Sequence, residues 1–274
     1  MLEQPTATAA GRTLCEVFDR TVAACGPQLA LRSDDGSSVL TWSEYAAQAR
    51  SAAAGLAGLG VGRGDTVACW LSNRPELNVA DSAALRLGAA PFSLHPGLTC
   101  AEAQNVIGDA SSRVLITEPA FLGAALAVRD ARTTALETIV LVEGADARAL
   151  TWSELLDCAS PGFDVDAAAH AVRPEDVATL IYVRGGAGPP TAIPITHGSV
   201  VSLLEVLRDG LALSGERRAI SWLPMADVVE RLCVHYLPMR LGWSVTTCSD
   251  PRALPELIGR AGPALPSARL PVAG

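Results

Sequence analysis

The sequence predicts an α/β fold with doubly wound, largely parallel sheets flanked by helices. Short apolar runs such as TVACWL (66–71), RVLIT (113–117) and TIVLV (138–142) alternate with longer segments of helical periodicity. Strands that are apolar on both faces are typical of parallel sheets covered by helices on both sides. The composition agrees, because 49% of the residues are hydrophobic and only 4% are aromatic, which favours tightly packed layers.

The first α/β unit is predicted to cover residues 1–158. Its helices have recognisable starts, since Thr followed three positions later by Glu forms a capping box and Pro favours the first helical turn. These starts are Thr41 with Glu44, Pro75, Thr99 with Glu102, and the segment TWSELL at 151–156. The apolar runs between them are predicted strands, so helices and strands alternate as in a parallel sheet.

A second α/β unit with a degenerate phosphate loop is predicted over residues 176–260. Residues 159–175 before it are interpreted as a linker or surface excursion. The unit contains the strand VATLIYV, a glycine-rich loop, a helix from about His197, and the later strands RAISWL and SVTTC. Residues 261–274 contain prolines without a periodic pattern, which predicts a frayed tail.

Charge and residue usage exclude several classes of function. The formal net charge is −8, whereas a nucleic-acid partner requires neutralising cations. All 21 basic residues are arginine, so no step that needs a lysine can run on this chain alone. The seven cysteines lack CxxC spacing, which favours reduced thiols in a cytoplasmic protein over a zinc site or disulfides. No apolar run is long enough to predict a membrane span.

The stretch YVRGGAGPPTAIPITHGS (182–199) has the glycines and the tight Gly-Pro-Pro turn of a phosphate-binding loop. Alone it matches neither the Walker nor the Rossmann pattern, and an ordinary Gly-Pro turn would explain it. Its surroundings, DVATLIYVRGGAGPPTAIPITHGSVV (176–201), resemble the signature of the adenylate-forming enzymes, the acyl-CoA synthetases and their relatives. The matching positions are Asp176, Tyr182, Gly185, Gly188, Pro190, Pro194, Thr196 and His197.

The resemblance extends over roughly residues 12–260 and is strongest to long-chain fatty acyl-CoA ligases. It implies the truncated N-terminal domain of the adenylate-forming fold. It also implies a parent reaction in which a carboxylate attacks ATP to give acyl-adenylate and pyrophosphate, and CoA then displaces AMP. ATP and Mg²⁺ are the cofactors expected for the family. The implied nucleotide-binding residues are Tyr182, Arg184, Gly185, Gly186, Gly188, Thr191 and His197.

The loop departs from the family pattern at the residues that would hold phosphate. Val183, Arg184, Gly186 and Ala187 stand where the family has Thr, Ser, Thr and Thr, and Thr191 stands where it has lysine. Losing a charge-assisted contact to phosphate removes about 1.5–3 kcal/mol. Arg184 either binds phosphate in place of the lysine or faces solvent on a relaxed loop, and the second interpretation is favoured. We therefore expect a disabled nucleotide site.

Later motifs of the family have no counterpart in the sequence. These are an aromatic-Gly-x-Thr-Glu segment, a Thr-Gly-Asp segment that holds the ribose, and a C-terminal domain with a catalytic lysine. We expect that this chain alone does not catalyse the parent reaction, and neither a catalytic residue nor a metal ligand is predicted. A non-catalytic acyl-, nucleotide- or partner-binding subunit and a gene remnant remain alternatives. Candidate partners are a fatty acid or acyl-CoA, a full-length homologue and the missing C-terminal part.

Polar residues outside the loop have simpler explanations. Asp227 is predicted to cap a helix. Glu230 and Arg231 are predicted to form a solvated pair, and His235 to pack on a helix beside Tyr236. For His197, helix capping or core packing is an equal alternative to the role that the family resemblance implies.

Overall fold

The structure, a computed structural model, describes residues 12–184, 188–210 and 218–261. Its strands are β1 (Leu29–Ser33), β2 (Val39–Thr41), β3 (Thr66–Trp70), β4 (Ala90–Ser93), β5 (Val114–Thr117), β6 (Thr138–Leu141), β7 (Leu150–Thr151), β8 (Val177–Val183), β9 (Thr191–Thr196), β10 (Arg218–Ser221) and β11 (Ser244–Thr247). Its α-helices are α1 (Leu14–Cys25), α2 (Trp42–Gly58), α3 (Pro75–Arg86), α4 (Cys100–Asp109), α5 (Pro119–Asp130), α6 (Trp152–Asp157), α7 (Val165–Ala171), α8 (His197–Gly210), α9 (Val228–Glu230), α10 (Leu237–Leu241) and α11 (Leu254–Ala261). The residues after Ala261, where the frayed tail is predicted, lie outside this description.

A sheet of five parallel strands forms the centre of the N-terminal part, in the order β4-β3-β5-β6-β7. Alternate residues of β3 belong to different hydrophobic clusters. Val67 and Cys69 pack in the cluster that contains α2 and α3, whereas Ala68 and Trp70 pack in the cluster that contains α4 and α5. Because successive side chains of a strand point to opposite faces, the sheet is covered by helices on both sides. This confirms the predicted doubly wound α/β fold.

A second sheet has the order β10-β11-β1-β2. Strand β1 is parallel to β11 and antiparallel to β2, and β10 is parallel to β11. The sheet thus combines strands from the two units that the sequence predicts. The third sheet is a ribbon of the antiparallel strands β8 and β9, which adjoins β4, where the Thr179 hydroxyl donates to the Pro91 carbonyl at 2.7 Å.

The predicted helix starts are present. The backbone N–H of Thr41 donates to the Glu44 carboxylate at 2.8 Å, and the N–H of Glu44 donates back to the Thr41 hydroxyl at 3.2 Å. The same reciprocal box starts α4 and α6. The segment 159–175, interpreted from sequence as a linker or surface excursion, contains α7, which packs against α2 and α3.

Helices α9 and α10 are joined by a π-helical segment, Arg231–Tyr236. Asp227 caps α9 as predicted, with its carboxylate accepting the N–H of Val229 at 2.7 Å. The prediction of a solvated pair at Glu230 and Arg231 is wrong, since both residues are completely buried. Adjacent opposite charges are normally exposed, but here a buried carboxylate, Asp81, pairs with Arg231.

Candidate functional site

The glycine-rich loop connects the two strands of the β8–β9 ribbon. Val183 pairs with Thr191 at the end of the ribbon where the loop begins. Both residues are exposed, and so is Gly188 within the loop. Gly185 and Gly186, two of the residues that the resemblance assigns to phosphate binding, lie outside the described residues.

Tyr182 at the entrance to the loop is attached to the first sheet. Its hydroxyl donates to the Asp109 carboxylate at 2.9 Å, and its ring centroid lies 5.6 Å from that of Phe92. Partial burial, with a contribution from Asp109, raises the pKa of the Tyr182 hydroxyl above its usual value. The tyrosine therefore fixes the end of β8 on α4 and β4 as a neutral, hydrogen-bonded side chain.

Arg184, the candidate substitute for the missing lysine, is directed to α4. Its guanidinium donates to the Glu102 carboxylate at 2.7 Å. That carboxylate also accepts the N–H and the hydroxyl of Thr99, and these bonds together with Arg184 lower its pKa to about 2. Glu102 therefore stays ionised at neutral pH and competes with any anion for Arg184. The Arg184 side chain, which is predicted to face solvent, is 57% exposed but is held in this ion pair.

Thr191 and His197 lie in different environments. Thr191 is exposed on β9, with no hydrogen bond from its side chain to another described residue. His197 is completely buried, and its Nδ1 accepts the backbone N–H of Leu14 at 3.2 Å. Burial lowers the pKa of the His197 imidazole to about 4, a shift that the carboxylates of Asp176 and Asp81 only partly oppose. No hydrogen bond in the described structure joins His197 to Tyr182, Arg184 or Thr191.

A cluster of buried charged groups lies between α3, β4 and the π-helical segment. Asp81 on α3 accepts from Arg231, from His235 at 3.0 Å and from the Tyr236 hydroxyl at 3.1 Å. The second Nη of Arg231 donates to the Ser93 hydroxyl at 2.8 Å. All of these side chains are less than a tenth exposed.

Asp81 is ionised in this cluster. Although burial opposes ionisation, Arg231 and His235 hold the pKa of the Asp81 carboxyl at about 2. Every charge is hydrogen-bonded, so the cluster joins the elements around it and leaves no free nucleophile or base. The sequence does not predict this cluster, and the available signal is the Asp81 carboxylate inside the otherwise small and mainly apolar stretch VADSAAL.

We also searched the part of the chain that the structure describes for metal-binding groups and for membrane-spanning helices. Groups of three or more His, Cys, Asp or Glu side chains that could hold a metal ion are not found there. Nor does that part contain a helix that is long and apolar enough to cross a membrane.

Comparison with known proteins shows the family. The sequence pattern of the family described as AMP-binding enzyme matches residues 18–265. The chain is 41% identical over 140 residues to an uncharacterized protein of Mycobacterium tuberculosis strain H37Rv, a match that covers 51% of this chain and 78% of that protein. It is 34% identical over 240 residues to 4-coumarate--CoA ligase 3 of Oryza sativa subsp. japonica, covering 85% of this chain and 41% of the ligase.

The fold agrees with that assignment. A long-chain-fatty-acid-CoA ligase (FadD1) of Archaeoglobus fulgidus superposes with a TM-score of 0.79 at 20% identity, covering 95% of this chain and 52% of the ligase. The chain thus spans about half the length, or less, of the two ligases it matches. Because the family pattern covers most of its residues, the chain belongs to the AMP-binding enzyme family and corresponds to the N-terminal part of the adenylate-forming fold.

Proposed function

We propose that this chain is a fatty acyl-CoA synthetase-like protein that does not complete acyl activation by itself. The parent reaction is the ATP-dependent conversion of a carboxylic acid to an acyl-adenylate and then to an acyl-CoA. The seven cysteines are free in the described structure, which supports the proposal that the protein works in the reducing cytoplasm.

The observation that carries the proposal is the ion pair between Arg184 and Glu102. A chain without lysine needs another cation to neutralise a triphosphate, and Arg184 is the candidate in the loop. Its guanidinium is held on α4 by Glu102, whose carboxylate is fixed by the capping box of that helix. A phosphate at Arg184 would lie beside the ionised Glu102 carboxylate that already holds the guanidinium, and the exposed Thr191 offers only a hydroxyl at the position of the lysine. The described residues therefore do not fit a tightly bound triphosphate.

Turnover is tested by mixing the purified chain with ATP, Mg²⁺, CoA and either a long-chain fatty acid or 4-coumarate, and measuring pyrophosphate release. We expect no release above a blank without protein, while a full-length ligase in the same assay releases pyrophosphate. A cooperative thermal transition of the same sample shows that the inactive protein is folded. Clear turnover with either acid would overturn the proposal.

A second candidate function is a non-catalytic subunit that binds a larger ligase or the acyl-adenylate. Two exposed apolar side chains on α8 favour it, because Val206 is 67% exposed and Leu203 is 38% exposed. The match to a short mycobacterial protein also favours it, since this chain covers 78% of that protein. Calorimetry with a non-hydrolysable acyl-AMP analogue, and co-purification with a full-length ligase, test this function; a gene remnant would show neither and would lack a cooperative melt.

A further inference from the structure

Two side chains at the end of β8 tie the start of the glycine-rich loop to helix α4. The Tyr182 hydroxyl donates to the Asp109 carboxylate at 2.9 Å, and the Arg184 guanidinium donates to the Glu102 carboxylate at 2.7 Å. Glu102 lies in the first turn of α4 and Asp109 is its last residue. These two carboxylates are about two helical turns apart and therefore lie on the same face of α4. The residues that lead into the loop are thus held against one face of one helix.

The capping box of α4 fixes the Glu102 carboxylate independently of Arg184. One carboxylate oxygen, Oε2, accepts the backbone N–H of Thr99 at 2.9 Å and the Thr99 hydroxyl at 2.8 Å. The other oxygen, Oε1, accepts from Arg184. An exposed ion pair is normally weak, because two long side chains must be held in one geometry. Here one of the two partners is already fixed, so the pair loses less side-chain freedom.

Glu102 gives Arg184 the kind of contact that a phosphate would give. A carboxylate and a phosphate both offer anionic oxygens to a guanidinium. The hydrogen bonds from Thr99 and Arg184 lower the pKa of the Glu102 carboxyl to about 2, so the carboxylate is charged at neutral pH. A second anion placed at Arg184 is therefore repelled by Glu102.

We propose that Glu102 is an autoinhibitory residue, whose carboxylate occupies Arg184 and keeps it from binding a diphosphate group at the start of the glycine-rich loop. The autoinhibition rests on the proposed function, in which the loop has the position of a phosphate loop but does not hold a triphosphate. Arg184 is then a latent phosphate ligand, and the missing lysine is not the sole reason for the lost affinity. Removing the charge of Glu102 uncovers an anion site that the wild-type chain does not offer.

Inorganic pyrophosphate is the probe, titrated by calorimetry into the full chain at fixed ionic strength and without Mg²⁺. Glu102→Gln removes the charge but keeps the capping box, which accepts either Glu or Gln at this position. Glu154→Gln is the matched control. Glu154 forms the same capping box with Thr151 on α6, and no arginine pairs with it in the described structure.

We expect Glu102→Gln to bind pyrophosphate about tenfold more tightly than the wild type, as for the gain of one charge-assisted contact, and Glu154→Gln to bind like the wild type. Glu102→Ala, which removes the carboxylate altogether, should show a similar gain. Adding Arg184→Gln to Glu102→Gln should abolish the gain. A gain that is absent from both Glu102 variants, that Glu154→Gln shares, or that persists without Arg184 would overturn the proposal.

Pyrophosphate binding is measured without turnover, so failure of the autoinhibition can be told apart from failure of the proposed function. A cooperative thermal transition confirms that each variant is folded. Tight binding by the wild-type chain would contradict both the disabled loop and the autoinhibition. Equal, weak binding by the wild type and by both Glu102 variants would contradict the autoinhibition alone.

Discussion

The backbone N–H of Leu14 donates to Nδ1 of His197, a residue 183 positions further along the chain. This bond joins the first turn of α1 to the first turn of α8. Because Nδ1 accepts a hydrogen bond, the imidazole is neutral and carries its proton on Nε2, which is buried and has no acceptor among the described residues. Protonation would place a second donor opposite the Leu14 N–H and a charge in the core.

His197 should make the protein less stable in mild acid. Its folded pKa is lowered to about 4, below the ordinary value of 6.5, so the unfolded chain binds a proton first. The free energy of unfolding should therefore fall as the pH decreases from 6.5 towards 4, by about 3 kcal/mol in total. His197→Asn keeps an acceptor for Leu14 without a titrating group and should lose this part of the pH dependence. The exposed His170 gives the control, His170→Asn, and the same slope in both variants would contradict the prediction.

Glu230 should produce the opposite pH dependence. Both carboxylate oxygens are buried, and the donors near them in the described structure do not reach them with full hydrogen-bond geometry. Burial raises the pKa to about 8, although the Ser221 hydroxyl and the N–H groups of Trp222 and Leu223 favour the ionised form. A raised folded pKa means that stability is fully present below pH 4.5 and is lost as the pH rises through 8, with a few kcal/mol at stake.

Glu230→Gln should remove this alkaline loss. Denaturant unfolding of the wild type and of Glu230→Gln at pH 5, 7 and 8.5 measures this loss of stability. Glu137→Gln is the control, because the Glu137 side chain is exposed. A wild-type stability that does not decline relative to Glu230→Gln over this range would show that Glu230 is ionised or solvated in the folded protein.

The Asp81–Arg231 pair is predicted to be essential for stability. Asp81→Ala leaves the Arg231 guanidinium buried without a counter-ion, which typically costs about 3–5 kcal/mol. Replacing both partners, as Asp81→Leu with Arg231→Met, should recover part of this loss, because no buried charge then remains unpaired. Chemical denaturation of the three proteins checks the order. If the double variant is less stable than Asp81→Ala, the apolar replacement does not pack and the charge argument fails.

Local signals explain which parts of the fold the sequence could predict. The capping boxes at Thr41 and Thr99 depend on residues three positions apart, so the sequence contains all the information needed. The apolar runs of β3 and β5 likewise fix a buried parallel sheet. The pairing of β1 with β11 depends instead on segments about 200 residues apart, and neither strand carries a sign of its partner.

The candidate site likewise has features that the sequence predicts and features that it does not. The position of the glycine-rich loop and the loss of its lysine are visible in the sequence. The capture of Arg184 by Glu102 is not, because the carboxylate lies 82 positions earlier and its capping role looks complete without an arginine. The sequence predicts the wrong partner for Arg231, because the neighbouring Glu230 is an obvious candidate, whereas the observed partner, Asp81, lies 150 positions away.

Gly58 on α2 should not tolerate a methyl group. A Cβ at this residue would lie 1.7 Å from the carbonyl oxygen of Cys158, at the end of α6. That contact is with backbone, so α6 would have to move away from α2 and the packing between them would open. Gly58→Ala should therefore destabilise the protein by about 1–3 kcal/mol or more, as overpacking does.

Gly123 on α5 is the matched control, because a Cβ there would meet nothing within 4 Å. Gly123→Ala should be neutral or stabilising by up to about 1 kcal/mol, since alanine favours a helix interior over glycine. The two variants make the same chemical change in two helices, but Gly58→Ala is predicted to lower the thermal midpoint and Gly123→Ala to leave it unchanged or raise it. Shifts of the same sign and size would mean that α2 and α6 are not in close contact, and that helix propensity alone governs both positions.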